Sequence, residues 1–160
     1  MLLAVFSDSH GAAGRMLRLT ERLGPDAVIF LGDMVRDIEK VRARFPETPF
    51  YIVRGNCDGA APGYADSQLL DLDGVRIFCA HGHNHGVKYG LDKFGTSVLC
   101  SGSALGLYGH THRALYHESD GIILMNPGSI GDGPHPTYGL VTVENGTVNC
   151  RILDCTEKEA

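Results

Sequence analysis

The 160-residue chain has no Cys-x-x-Cys spacing, no surplus of basic residues, no apolar run long enough to cross a bilayer, and no repeat or low-complexity tract. Each absence excludes something. Five cysteines (Cys57, Cys79, Cys100, Cys150, Cys155), odd in number and without paired spacing, argue for reduced thiols and a cytoplasmic protein, with a Cys150–Cys155 bridge left open. Lys and Arg number 14 against 19 Asp and Glu, and the resulting net charge of -5 argues against holding long nucleic acid on a basic surface. It does not exclude a phosphate-bearing ligand, because bound divalent ions can reverse the local sign. The amino terminus lacks a basic stretch before its short apolar run, so neither a signal peptide nor a membrane partner is expected.

What is present suits one domain over residues 1–160, with 43% hydrophobic residues and eight His, five of them in two short clusters. Leu2 to Phe6 is an apolar run of strand length, read as a strand covered on both faces, and it stops at Ser7-Asp8-Ser9-His10. In an extended segment Asp8 and His10, two apart, turn to the same side. A helix over Ala12 to Leu23 leads to a second buried strand, Ala27 to Leu31, closed by Gly32-Asp33. A shorter helix over Asp37 to Phe45 precedes a third strand, Phe50 to Val53, which runs into Gly55-Asn56-Cys57-Asp58. Three strands in succession thus deliver polar groups to one sheet edge, where open α/β sheets bind ligands.

From Ser67 the pattern becomes antiparallel. A hairpin turning at Asp73-Gly74 ends in His81-Gly82-His83-Asn84-His85, and a weak helix is expected over Val87 to Leu99. A short strand, Leu105 to Tyr108, runs into Gly109-His110-Thr111-His112. Four strand-like segments follow, with turns at Asp120-Gly121 and Asn145-Gly146, a loop at Asn126-Pro127-Gly128-Ser129, and a frayed tail from Thr156 to Ala160.

The strand ends contribute Asp8, His10, Asp33, Asn56, His81, His110 and His112. Two carboxylates, an amide oxygen and four imidazoles suffice for two first-row divalent ions and are too many for one. Only a carboxylate readily bridges two cations, so either Asp8 or Asp33 fits that part. Each residue alone has a blander reading: Asp33 as a helix cap, Asn56 as a turn residue, Asp8 as the cap of a surface turn. Their repetition at one edge favours the metal reading. His83 is expected to support the site by a hydrogen bond, His85, His117 and His135 to lie on the surface, and Cys79, Cys100 and Cys150 to be small buried hydrophobes.

Asp-x-His, Gly-Asp, Gly-Asn-x-Asp, the His-Gly at His81 and Gly-His-x-His, in this order, resemble the calcineurin-like metallophosphoesterase superfamily, and in detail its small bacterial and archaeal phosphodiesterase branch. The resemblance runs from Leu2 to near the end of the chain. It implies an α+β fold, a four-layer αββα sandwich of two mixed sheets flanked by helices. It also implies that Asp33 bridges two ions, that Asp8, His10 and His112 complete one site, and that Asn56, His81 and His110 complete the other. Two cations roughly 3.5–4 Å apart hold a bridging water acidic enough to yield hydroxide, which attacks phosphorus in a small phosphate diester.

The expected cofactors are two divalent ions, manganese foremost, with iron, nickel or zinc as alternatives, and a homodimer or larger oligomer is expected. The rival readings are a non-catalytic scaffold on the same fold and a phosphomonoesterase. Two departures matter: Cys57 stands where many relatives place a His, leaving no imidazole to protonate the leaving group, and the loop after Ser129 carries Asp132 where relatives commonly place a basic residue.

Overall fold

Leu2–Phe6 is apolar without interruption because the strand it forms, β1, is covered on both faces. Leu3 and Val5 face one core while Ala4 and Phe6 face another. In the computed structural model, which describes residues 1–156, β1 pairs in parallel with β2 (Ala27–Phe30), and β2 with β3 (Phe50–Ile52). The crossovers carry α1 (Ala13–Leu23) and α2 (Val35–Arg42). Residues 157–160, on which most of the expected frayed tail falls, lie outside the described residues.

The later strands build a second sheet. β4 (Ser67–Leu72) and β5 (Val75–Ala80) form a hairpin, β6 (Leu105–Leu107) runs parallel to β5, and β8 (Ile122–Asn126) runs parallel to β6 with β7 (Leu115–Ser119) antiparallel at its edge. The chain then returns to the first sheet as β9 (Thr137–Glu144) and β10 (Thr147–Asp154), giving strand orders β10-β9-β1-β2-β3 and β4-β5-β6-β8-β7. All three hairpins turn on Asp-Gly or Asn-Gly pairs with positive φ at both residues, the twist that suits a two-residue connection.

Leu3, Ile29, Val141, Ile77 and Leu105 meet between the sheets. On the outer face of the first sheet Phe6, Phe30 and Tyr138 pack under α1 and α2, and on the outer face of the second, Phe94 and Val98 of α3 (Asp92–Cys100) pack over Tyr108 and Leu124. The result is the α+β four-layer sandwich.

Both shorter helices differ from their expected spans. α2 starts two residues early because the Asp58 carboxylate accepts the Val35 N–H, supplying from a distant loop the cap its own sequence lacks. α3 starts five residues late because Gly86 and Gly90 hold positive φ and keep the preceding segment out of the helix. Cys100 is exposed at the end of α3 rather than buried, and Cys150 is half-buried. Cys150 packs on the core between the sheets and Cys155 on the helix side, so the bridge left open by the sequence is ruled out by their opposite facing. No helix is long and apolar enough to cross a membrane among the described residues.

Two glycines at the interface of α3 with the second sheet give opposite expectations. A Cβ on Gly106 would collide with Val98, Leu124 and Phe94, whereas one on Gly95, inside α3, would lie 3.6 Å from Leu124 in ordinary contact. Gly106→Ala should destabilise by about 1–3 kcal/mol and Gly95→Ala should stabilise by about 0.5–1 kcal/mol, both read from urea unfolding midpoints.

Candidate metal centre

Parallel strands from both sheets end at one edge, and every candidate ligand leaves from such an end. Asp8 and His10 follow β1, Asp33 follows β2, Asn56 follows β3, His81 follows β5, and His110 and His112 follow β6. The loops are not extended, as the i, i+2 spacing suggested. Asp8, His10, Asp33, His110 and His112 all have φ between +39° and +68°, so the chain turns sharply at each ligand and the side chains converge by loop curvature instead of strand alternation. Left-handed backbone at non-glycine residues costs roughly 1–3 kcal/mol each and persists only where surrounding bonds hold it.

Those bonds come largely from carboxylates. Asp37 accepts from Ser9 Oγ (2.9 Å) and the Gly11 N–H (2.8 Å), fixing the turn that bears His10. Asp58 accepts from the backbone N–H of Asp33 (2.9 Å), Val35 (2.8 Å) and Gly55 (2.7 Å), tying the second and third loops together. Ser129 Oγ donates to the Asp8 carbonyl at 2.8 Å, and Asn126 Nδ2 donates to the Gly109 carbonyl at 2.9 Å. A Cβ at Gly55 would strike the Asp33 carboxylate and one at Gly109 would strike Ser7 and Asp8, which is why glycine precedes both Asn56 and His110.

Each site carboxylate has one oxygen anchored and one left over. Asp8 Oδ2 accepts from Ser7 Oγ (2.6 Å) and the His110 N–H (3.0 Å), while Oδ1 is buried with no hydrogen-bond partner among the described residues, facing His112 Nε2 at 3.2 Å and His81 Nε2 at 3.8 Å. Asp33 Oδ1 accepts the Cys57 N–H at 2.9 Å, and Oδ2 points between His81 Nε2 (3.5 Å) and His10 Nε2 (3.9 Å). One ligand atom from each of Asp8, His10, Asp33 and His112 falls within 4.8 Å of the others.

On the other side of Asp33, His81 Nε2 lies 3.1 Å from Asn56 Oδ1, and the His110 ring centre is 5.0 Å from that of His81. His81 Nδ1 must donate to the Leu31 carbonyl, 2.7 Å away, so in the neutral ring Nε2 presents a lone pair to Asn56 and Asp33 oxygens that also present lone pairs. Such a cluster needs a proton or a cation at its centre.

The titration behaviour follows. Burial alone would raise the Asp33 carboxyl, but the hydrogen bond and charge of His81 and the Cys57 N–H outweigh it and hold it well below the usual range. Burial opposes a charge on His81, yet Asp33 and Asp8 raise its pKa. Burial and the His81 charge push His110 down to about 4, leaving it neutral. His112, held between Asp8 and Asp132, rises to about 9. Burial, then Asp33, pushes the Cys57 thiol up, so it stays protonated and is a weaker acid than a free thiol.

The family model described as the calcineurin-like phosphoesterase superfamily domain matches residues 1–146. The chain belongs to that superfamily. It is 30% identical to the probable metallophosphoesterase YsnB of Bacillus subtilis, over 96% of this chain and 91% of that protein, and 30% identical to phosphodiesterase YfcE of Escherichia coli, over 88% and 87%. Among solved structures, a predicted phosphoesterase of Streptococcus pneumoniae superposes with a TM-score of 0.81 at 25% identity, covering 96% of this chain and 89% of that one. Vps29 of Entamoeba histolytica, solved with zinc, shares the fold at a TM-score of 0.75 and 20% identity, over 98% and 100%.

Sequence reading missed the supports. Asp132, standing where relatives commonly place a basic residue, accepts from His112 Nδ1 at 2.9 Å and aims Nε2 at Asp8. Asp37 and Asp58 looked like ordinary helix and turn residues. His83 stacks near His81 and His110 with ring centres 5.3 and 6.1 Å away, but no hydrogen bond from it to a ligand forms. His85 is not a surface residue: its ring is wedged edge-on against Phe78 and Phe94. His117 and His135 are exposed.

A metal held by His112 Nε2 would have to displace the proton that this nitrogen carries below about pH 9 in the metal-free protein. Manganese affinity should therefore rise as the pH is raised towards that value, and calorimetry at pH 7 in buffers of different ionisation heat should report net proton release. Asp132→Asn should weaken manganese binding by roughly 10–100-fold in the same titration, through loss of His112 orientation and basicity.

Proposed function

We propose that this chain is a dinuclear metal-dependent phosphodiesterase acting on a small phosphate diester. The observation that carries the reading is the convergence of His81 Nε2, Asn56 Oδ1 and Asp33 Oδ2 on one point, alongside the buried Asp8 Oδ1 that faces His81 and His112. Hard oxygens mixed with imidazoles fit manganese, with iron, nickel or zinc also acceptable. Asp8, His10 and His112 would hold one ion and Asn56, His81 and His110 the other, with Asp33 Oδ2 directed between the two groups.

When bound, such ions supply an acidified water as nucleophile and positive charge for the phosphoryl oxygens. The chain's own part is preorganisation. The Leu31 carbonyl fixes the His81 tautomer, Asp132 fixes His112, and Asp58 locks the Asp33 and Asn56 loops at constant separation. Asp8, Asp33 and His81 form a buried floor, while His10 and Asn56 are exposed at its rim, so a substrate can reach the groups without the floor opening. With Cys57 in place of an imidazole, no strong proton donor faces the leaving group, which favours diesters whose leaving group departs as a stable anion.

Chelated protein given manganese should hydrolyse bis(p-nitrophenyl) phosphate faster than p-nitrophenyl phosphate, and Asn56→Ala or His81→Ala should lower kcat by about 100-fold or more. A preference for the monoester would make the protein a phosphomonoesterase. Two bound ions without turnover of either ester would make it a scaffold.

A further inference from the structure

The turn that carries His110 and His112 also walls a cavity of about 410 Å3, which Thr111 between them lines. Its floor is apolar: Val87 and Tyr108 are buried and Leu91 packs beside them. Two cations, Lys88 and Arg113, line it, and neither makes a salt bridge with a carboxylate among the described residues. Arg42, Arg54 and Arg76 are each matched to an acid, but several other basic residues among those described are not; what distinguishes Lys88 and Arg113 is that both line one cavity. Thr111, between His110 and His112 in the chain, lines the cavity, which places it beside the phosphate-handling groups. Its chain neighbour Tyr89 is 95% exposed, an aromatic with no protein surface to cover it.

We infer that this cavity receives one ester arm of the substrate, and that the arm has an apolar body of nucleoside size ending in a second phosphate. A volume of this order suits a nucleoside, the floor matches a planar apolar group, and unmatched cations at the wall match an anion the phosphodiester centre does not itself supply. The inference rests on the phosphodiesterase reading and names the substrate class for the same site.

The test compares two manganese-loaded reactions: thymidine 5′-(p-nitrophenyl phosphate) with and without a 3′-phosphate, alongside bis(p-nitrophenyl) phosphate. The 3′-phosphate should raise kcat/KM by roughly tenfold or more, mainly through KM, since charge-assisted hydrogen bonds are worth at least that factor. In the Lys88→Ala/Arg113→Ala double variant the ratio of the two kcat/KM values should fall to near one, while Lys88→Arg keeps it. Because the readout is a ratio within one protein, a partly misfolded variant does not imitate the result. Equal kcat/KM for the two thymidine diesters, or a gain that survives in the double variant, overturns the inference while turnover of bis(p-nitrophenyl) phosphate leaves the phosphodiesterase reading standing. No turnover of any diester removes both.

Discussion

Lone pairs that face one another in a buried cleft repel, and the arrangement at the sheet edge is organised around that repulsion. Asp8 and Asp33 each spend one oxygen on protein donors and turn the other inward, and His81, its Nδ1 committed to the Leu31 carbonyl, can donate to them only as the charged ring. The fold therefore holds an electrostatic deficit of positive charge in place. Five left-handed residues are part of the same arrangement, since a turn tight enough to bring neighbouring ligands inward is one that non-glycine residues resist.

The deficit is sustained because acids outside the cleft anchor the loops that bear the acids within it. Asp37 and Asp58 are hydrogen-bonded to backbone N–H groups of turns, where they offset the strain, while Ser129 donates to the Asp8 carbonyl and Asn126 to the Gly109 carbonyl. Two shells of polar groups thus have separate tasks. The inner set is left short of donors, and the outer set is fully satisfied.

Most of the architecture was legible because it is written in run length and turn chemistry. Leu2 to Phe6 and Ala27 to Leu31 could only be doubly covered strands, and Asp73-Gly74, Asp120-Gly121 and Asn145-Gly146 named their hairpins. The seven-residue cluster was legible because each member follows a strand. Other features were hidden because they depend on distant partners: the start of α2 rests on Asp58, the role of Asp132 on His112, and the burial of His85 on Phe78 and Phe94. The extended Asp-x-His geometry failed for another reason. Spacing of two is compatible with both a strand and a double left-handed turn, and the distant partners Asp37 and Ser129 hold the turn.

The cluster draws on both sheets: Asp8, His10, Asp33 and Asn56 come from the first, His81, His110 and His112 from the second. A cation gripped there would act as a clasp between the two halves of the sandwich, at the one rim where their hydrophobic seam gives way to polar side chains. Loading the clasp would then resist sliding of one sheet over the other, so that occupancy of a small inorganic site would be felt as mechanical stiffness across the whole molecule.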